Sequence, residues 1–297
     1  MAKLKSLIGK LKDKASEGKA GMVHALRPNT RSLHLALLKS TTHNCTKPPA
    51  DDCVAAVISY SGSRRYAPAT VSAVLSRLQD TRDACVAAKS LIILHKIIKP
   101  DHNLNREFYI KDHHFIYSEG RNNLKINNFR DHSSHLTLEL SPWIRWYVRY
   151  LDCLSSAYRV LGYFPNFTSY SKERAVEKNR VSSYKTGYLV HQTGFVVSFF
   201  ECICQRPENP ALYQNKIVDG IRELVAQDYF SVMPLVMVRL EVLNERLTKP
   251  DLGYTGSDEL GPVLVRLEQT KEKMIGFSWR CKVLVEDFWF RGKGIER

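Results

Sequence analysis

Residues 84–98 read ACVAAKSLIILHKII, a run that is apolar around nearly the whole circumference of a helix. A helix on the surface of a soluble fold keeps one polar face, so a helix like this one is stable only when neighbours cover it on every side. Several other helices must therefore pack around it, and the remainder of the chain supplies them.

Residues 32–43 (SLHLALLKSTTH) carry leucines at helical spacing, and Pro48–Pro49 stops that helix. Ala50-Asp51-Asp52 starts the next, because carboxylates favour a helix amino terminus. Residues 67–78 and 80–99 predict two more, the second ending at Pro100-Asp101, and residues 107–117 another. Ser141-Pro142 has the form of an N-cap followed by proline at the first helical position, so a helix is expected over 141–161. After a break at 162–172, longer helices are expected over 180–205, 211–248 and 261–290, with Pro234 kinking the second. There is no βαβ rhythm. The fold class expected is all-α, an α-solenoid or stack of helical hairpins, with the longer helices in the C-terminal half.

Charge is concentrated at one end. Of a net charge of +14, residues 1–47 hold +8: ten basic side chains against Asp13 and Glu17. Such a field implies a polyanionic partner, phospholipid headgroups or nucleic acid. Within it, Leu4, Leu7, Ile8 and Leu11 fall on one helical stripe, and Lys3, Lys5, Lys10, Lys12 and Lys14 occupy the rest of the circumference. Gly9 weakens this helix by roughly 1 kcal/mol, and a marginal basic amphipathic helix folds on a surface. Gly18 and Gly21 suggest a hinge behind it. No aromatic–basic interleaving or recognition helix accompanies the charge, so nucleic acid is the lesser reading.

No catalytic constellation stands out. There is no glycine-rich phosphate loop and no nucleophile elbow. His113-His114 and His132/His135 lack the partners that would complete a tetrahedral metal set. No metal, cofactor or catalytic residue is expected. The seven cysteines are odd in number and irregularly spaced, so each is expected to pack as a small hydrophobe in a reducing compartment. The longest near-apolar run, residues 195–204, is about half the length of a membrane span.

Residues 87–161 are specific in their wording. AKSLIILHKIIK is followed by NREFYI and then by NNFRDHSSHLTLELSPWIRWYVRYLDCLSSAYRVL. Ala88-Lys89-Ser90-Leu91 with His95, Asn128-Phe129-Arg130-Asp131, and Trp143-Ile144-Arg145 with Tyr147, Tyr150 and Leu151 match the motifs of one family in order. Upstream, LLKSTTHNCTKPP matches the same family's lysine–histidine–diproline segment. The chain thus resembles the ANTH domain of plant-type clathrin assembly proteins. That resemblance implies a right-handed, ENTH/ANTH-like superhelix of stacked helices. It implies residues 1–165 as an ENTH-like part carrying the basic lipid-facing end and 166–297 as a long-helix extension. It also implies a peripheral adaptor that binds phosphatidylinositol 4,5-bisphosphate and recruits clathrin at endocytic pits or trans-Golgi vesicles, and that holds a vesicle SNARE through its later helices. Clathrin-binding peptides of the family lie in a disordered tail, and no stretch of that kind follows the last expected helix within these 297 residues.

The family's phosphoinositide site begins with a lysine, matched by Lys39, with His43 one helical turn on. It is completed by a basic cluster after the diproline, where this chain has Asp51 and Asp52. Two carboxylates there reverse the sign of the local interaction. Lipid attachment is therefore expected to rest on the basic stripe of residues 3–14 and its Leu4, Leu7, Ile8 and Leu11 face, with Lys39, His43 and Lys47 assisting. Two alternatives stay open: a cargo- or SNARE-binding scaffold with weakened lipid binding, and a basic nucleic-acid-binding helical protein.

Overall fold

The structure, a computed structural model of the chain, describes residues 2–23, 28–63, 65–99, 126, 128–161, 170–247 and 257–275. Among the described residues there are ten α-helices and a short 3-10 turn, with no strand, so the all-α fold class holds. The helices are α1 (Ala2–Val23), α2 (Pro28–Ser40), α3 (Asp51–Ser61), α4 (Ala67–Asp80), α5 (Ala84–Ile98), α6 (His135–Leu161), α7 (Tyr170–Ser182), α8 (Thr186–Cys204), α9 (Lys216–Leu247) and α10 (Ser257–Ile275). The helix expected over 107–117 lies outside the described residues, as do His113 and His114.

Two compact units divide the chain: Met1–Leu151 with Pro207–Glu223, and Asp152–Arg206 with Leu224–Arg297. In the first, α1 packs on α2, α2 on α3, α3 on α4, and both α3 and α4 on α5. Helix α5 is the centre that its sequence demands. Every residue from Ala84 to Ile98 is buried except Lys96. Burying Leu91, Ile92, Ile93, Leu94, Ile97 and Ile98 contributes on the order of 10 kcal/mol against the cost of ordering them. The Asp83 side chain caps α5 by accepting from the backbone N–H of Cys85 (2.9 Å) and Val86 (3.1 Å).

Helix α6 covers α5 with an aromatic row. Trp143, Trp146, Tyr147 and Tyr150 are each 1% exposed or less, and His95 Nδ1 lies 2.7 Å from the Tyr147 hydroxyl. The turn before α6 is organised by Asp131. Its carboxylate accepts from the N–H of Ala84 (2.8 Å), at the start of α5, and from the N–H and hydroxyl of Ser133 (2.9 and 2.5 Å). Arg145 then donates to the Phe129 carbonyl at 2.7 Å. The Phe-Arg-Asp-His-Ser-Ser wording is therefore a structural joint between α5 and α6.

Several boundaries differ from the sequence reading. Helix α1 runs unbroken through Gly18 and Gly21, where a hinge was expected. Ser141-Pro142 lies inside α6 and does not begin it. The Ser141 hydroxyl donates back to the Thr137 carbonyl (2.9 Å) and accepts from Asp131 N–H (3.0 Å), so its capping chemistry serves the turn one level up. The segment expected as one helix over 180–205 is two, α7 and α8, separated at residues 183–185.

The cysteine expectation fails at one pair. Cys45, in the loop after α2, and Cys85, in the first turn of α5, form a disulfide with Cα atoms 5.1 Å apart. Forty positions separate them in sequence, and only the folding of α2 to α5 into neighbours brings them within bonding range. Cys53 is a free thiol.

In the second unit, α8 and α10 approach closely, with Gly194 on α8 facing a Val263 methyl. Arg266 on α10 makes two bonds to the Glu201 carboxylate on α8, at 2.8 and 2.6 Å. Helix α7 is fastened to α9 by a fully buried ion pair: Arg239 Nη1 donates to Glu177 Oε1 at 2.9 Å.

Candidate functional site

The basic end of the chain is built around the loop of residues 41–47. Helix α2 stops at Ser40, whose hydroxyl, like that of Thr41, donates to the Leu37 carbonyl (2.9 and 2.7 Å). Both hydroxyls converge on this one carbonyl as the helix ends, side-chain bonding of the kind that competes with helix continuation. His43 therefore lies off the helix, not one helical turn beyond Lys39 as the spacing suggested.

Helix α1 lies against this loop. Gly9 faces the loop, where a Cβ would make an ordinary contact with the His43 Cβ at 3.5 Å. Asp13, one turn on, accepts through a single oxygen from the His43 backbone N–H (3.1 Å) and lies 2.6 Å from His43 Nδ1. The loop is held from below as well. Lys89 on α5 donates to the carbonyl and the hydroxyl of Thr42, at 3.1 and 2.9 Å. Arg77 on α4 donates to the hydroxyl and carbonyl of Thr41, both at 3.2 Å. Burial pulls the Lys89 ammonium down to about 8, against the opposing pull of Asp13 and Asp83. Burial likewise lowers the Arg77 pKa, again with Asp13 opposing it. A carboxylate on α1 thus contacts a histidine and raises the pKa of two nearby cations, the buried Lys89 and the half-buried Arg77.

On its other side α1 presents an apolar face to solvent. Leu7 is 56% exposed, Ile8 45% and Leu11 67%. Lys10, Lys12 and Lys14 are exposed around them. The side chains of Lys3, Leu4 and Lys5 lie outside the described residues. A solvated helix packed on the core by its leucines would bury these positions, and the structure does not.

Lys39, in the last turn of α2, and Lys47 are both exposed. Burial and then the Asp52 carboxylate raise the Cys53 thiol pKa, and Lys39 opposes them. Lys39 and Asp52 thus act on one neighbourhood with opposite signs. Asp51 and Asp52 occupy the first turn of α3, where the helix dipole favours them. The N-cap itself is Ala50, which makes no side-chain bond, so the two acids do not cap α3 by hydrogen bonding. Both are exposed.

Sequence reasoning missed Asp13, Lys89, Arg77 and Thr42 as parts of this site. Lys89 carried a signal: a lone charge in an otherwise apolar helix must find partners when buried. Asp13 carried none, because its partner lies thirty positions away. His132 and His135 are exposed. No described helix is long and apolar enough to cross a membrane.

Comparison with known proteins bears on what such a site is for. The ANTH domain matches this chain over residues 32–227. Three Arabidopsis thaliana proteins named as clathrin assembly proteins are similar along nearly all of it. One is 55% identical over 287 residues, 95% of this chain and 82% of the relative. A second is 43% identical over 295 residues, covering 98% and 97%. A third is 36% identical over 290 residues, covering 95% and 77%.

Proposed function

This chain belongs to the ANTH-domain family, and from that premise we propose that it is a peripheral membrane adaptor that promotes clathrin coat assembly. The observation that carries the membrane part is the outward face of α1. Three large apolar side chains, Leu7, Ile8 and Leu11, stand in solvent beside exposed lysines on a helix fastened to the loop of residues 41–47. Inserting such a face into the headgroup region gains a hydrophobic contribution, and each basic residue near an anionic surface adds about 1 kcal/mol. Together these give reversible attachment.

The lipid target is a phosphoinositide-containing membrane, reached mainly through α1, with Lys39, His43 and Lys47 assisting. The clathrin part follows from similarity to relatives that carry that name. A vesicle SNARE is the cargo that the family resemblance suggests. The division at 1–165 and 166–297, with lipid binding in the first part, belongs to the same reading. So does residence on the cytoplasmic side of coated pits or trans-Golgi vesicles. No catalytic role is proposed.

A second reading is favoured by the exposed acids Asp51 and Asp52 beside Lys39: a cargo-binding scaffold in which the phosphoinositide site is weakened. Co-sedimentation with phosphatidylcholine vesicles, with and without phosphatidylserine or phosphatidylinositol 4,5-bisphosphate, separates the two. The adaptor reading expects binding that requires anionic lipid and falls as salt is added. No sedimentation at low salt leaves only the scaffold.

A further inference from the structure

The loop between α2 and α3 is held to the core in two different ways. Residues 41–43 are held by side chains: Arg77 donates to Thr41, Lys89 donates to Thr42, and Asp13 accepts from the His43 N–H. From Asn44 onward those anchors stop. The Asn44 side-chain oxygen accepts from the N–H and hydroxyl of Thr46, which folds the loop on itself without tying it down. Asn215 Nδ2 reaches the Cys45 carbonyl only at 3.4 Å, beyond the usual range of a hydrogen bond. Asn44, Thr46, Lys47 and Pro48 are exposed. Among the described residues, the bond from Cys45 to Cys85 is therefore the main fixture of residues 44–47.

Its two sulfurs differ in access. Cys85 is 0% exposed, in the first turn of α5, whereas Cys45 is half-buried at the edge of the loop. A thiolate from solution can reach the Cys45 side of the bond and not the Cys85 side. After reduction the Cys45 thiol has an acceptor in place, since its Sγ lies 3.8 Å from the His43 carbonyl. Cys85 then packs as a small buried hydrophobe. Neither sulfur is stranded, so both states suit the same fold. Where glutathione keeps thiols reduced, a protein disulfide is usually transient and redox-sensing.

We propose that Cys45–Cys85 is a reversible thiol–disulfide switch, worked by the glutathione couple, that fixes residues 44–47 to α5 when oxidised and frees them when reduced. Opening begins when a glutathione thiolate bonds the Cys45 sulfur. The Cys85 sulfur leaves with the electron pair and takes up a proton. A second glutathione thiolate attacks the glutathione sulfur of this mixed disulfide, and Cys45 leaves as a thiolate. The bridge gains two electrons while two glutathiones become one glutathione disulfide, and closing runs the same steps backwards. The compartment and the consequence for lipid binding rest on the membrane reading above: oxidation holds Lys47, an assisting basic group, in place, and reduction loosens it.

The test equilibrates the full chain in glutathione buffers, from glutathione disulfide alone to about 10 mM reduced glutathione, with alkylation and mass spectrometry as the readout. The bridge is expected to open within the series and to reform on return to glutathione disulfide. A bridge that survives the most reducing buffer, or never forms in the most oxidising one, overturns the proposal. Cys85→Ala is expected to take up glutathione at Cys45, and Cys45→Ala to take up none at Cys85; the reverse pattern overturns it. Backbone nitrogen relaxation compares the two states of the wild type without any substitution. Order parameters of residues 44–47 are expected to fall from about 0.85 to below about 0.6 on reduction, and equal values in both states overturn the proposal. Sedimentation with phosphatidylcholine vesicles containing phosphatidylinositol 4,5-bisphosphate separates this failure from that of the membrane reading. The oxidised chain is expected to bind about threefold more tightly than the reduced one. A bridge that titrates, with no vesicle binding in either state, sinks the membrane reading and leaves the switch. Vesicle binding by a chain whose bridge does not titrate sinks the switch and leaves the membrane reading.

Discussion

The ammonium of Lys89 donates to both oxygens of Thr42, at 3.1 and 2.9 Å, so a cation in the central helix and the loop under α1 hold each other in place. Lys89 is 1% exposed, and a buried charge is tolerated only while such partners persist.

Its ionisation makes stability depend on pH in a definite direction. Burial lowers the folded-state pKa from 10.5 to about 8. Below pH 8 the group is protonated in both states and its burial opposes folding. Between pH 8 and 10.5 the folded chain releases the proton while the unfolded chain keeps it. The unfolded state then binds more protons, so the contribution of Lys89 to stability rises with pH, by at most about 3 kcal/mol. Urea unfolding of wild type and Lys89→Met at pH 7.5 and pH 9.5 checks this. The wild type should gain relative to the variant at the higher pH, and a relative loss contradicts the sign.

Arg239 and Glu177 form the buried pair of the second unit, 0% and 2% exposed. Arg239 also reaches Gln192 Oε1 (3.3 and 3.2 Å) and the Leu235 carbonyl (3.0 Å). Removing one partner strands the other charge, so Arg239→Met should cost about 3 kcal/mol or more. Arg180 also pairs with Glu177, at 3.1 Å, and tempers that loss. The double change with Glu177→Gln should cost less than Arg239→Met alone. Denaturant titration of the three variants gives the comparison, and a larger loss in the double variant would contradict it.

The Cys45–Cys85 bridge closes a loop of about forty residues, and restricting the unfolded chain in this way is worth roughly 2–4 kcal/mol. Treatment with a dithiol, or the double change to alanine, should lower the denaturation midpoint by that amount. Mass spectrometry after alkylation should find both sulfurs blocked before reduction and free after it. Equal stability with and without reductant would mean that the bridge adds nothing.

Vesicle binding should depend on α1 more than on Lys39. Changing Lys3, Lys5, Lys10 and Lys12 together to Glu removes four attractive charges of about 1 kcal/mol each and adds repulsion, so affinity should fall by roughly a hundredfold or more. Changing Lys39 alone should cost about tenfold. Leu7, Ile8 and Leu11 to Ser should weaken binding without lowering the melting temperature, because all three are exposed in the free chain. Complete loss with Lys39→Glu alone would show that the pocket, not the helix, holds the membrane.

Asp131 accepts from Ala84, from Ser133 and from the turn it organises, and these bonds outweigh burial to lower its pKa below 3.8. Its stabilising contribution is full above that value and is lost as pH falls through the folded-state pKa. Asp131→Asn should flatten the acid limb of the stability profile, measured by thermal melts from pH 5 to pH 2. An unchanged limb would contradict the role.

Helix boundaries were legible wherever one strong local signal stood alone. Asp51 at the start of α3, Ala67 at the start of α4 and Pro100 after α5 are such positions. They failed where a local signal was borrowed for a tertiary purpose. Ser141-Pro142 has the residues of a helix start, but Asp131 and Thr137 claim the Ser141 hydroxyl, and α6 begins six residues earlier. The exposed face of α1 was readable from the spacing of Leu7, Ile8 and Leu11. Its attachment point was not.

The sequence by itself determined the helical composition, the burial of α5 and the family, because periodicity and motif wording are properties of neighbouring residues. The tertiary structure alone decided that Cys45 meets Cys85, that Lys89 grips Thr42 and that Asp13 lies on His43. Those partners stand thirty to forty-seven positions apart. No periodicity records contacts at that distance; they exist only once the helices have packed around α5 and brought the loop of residues 41–47 between its neighbours.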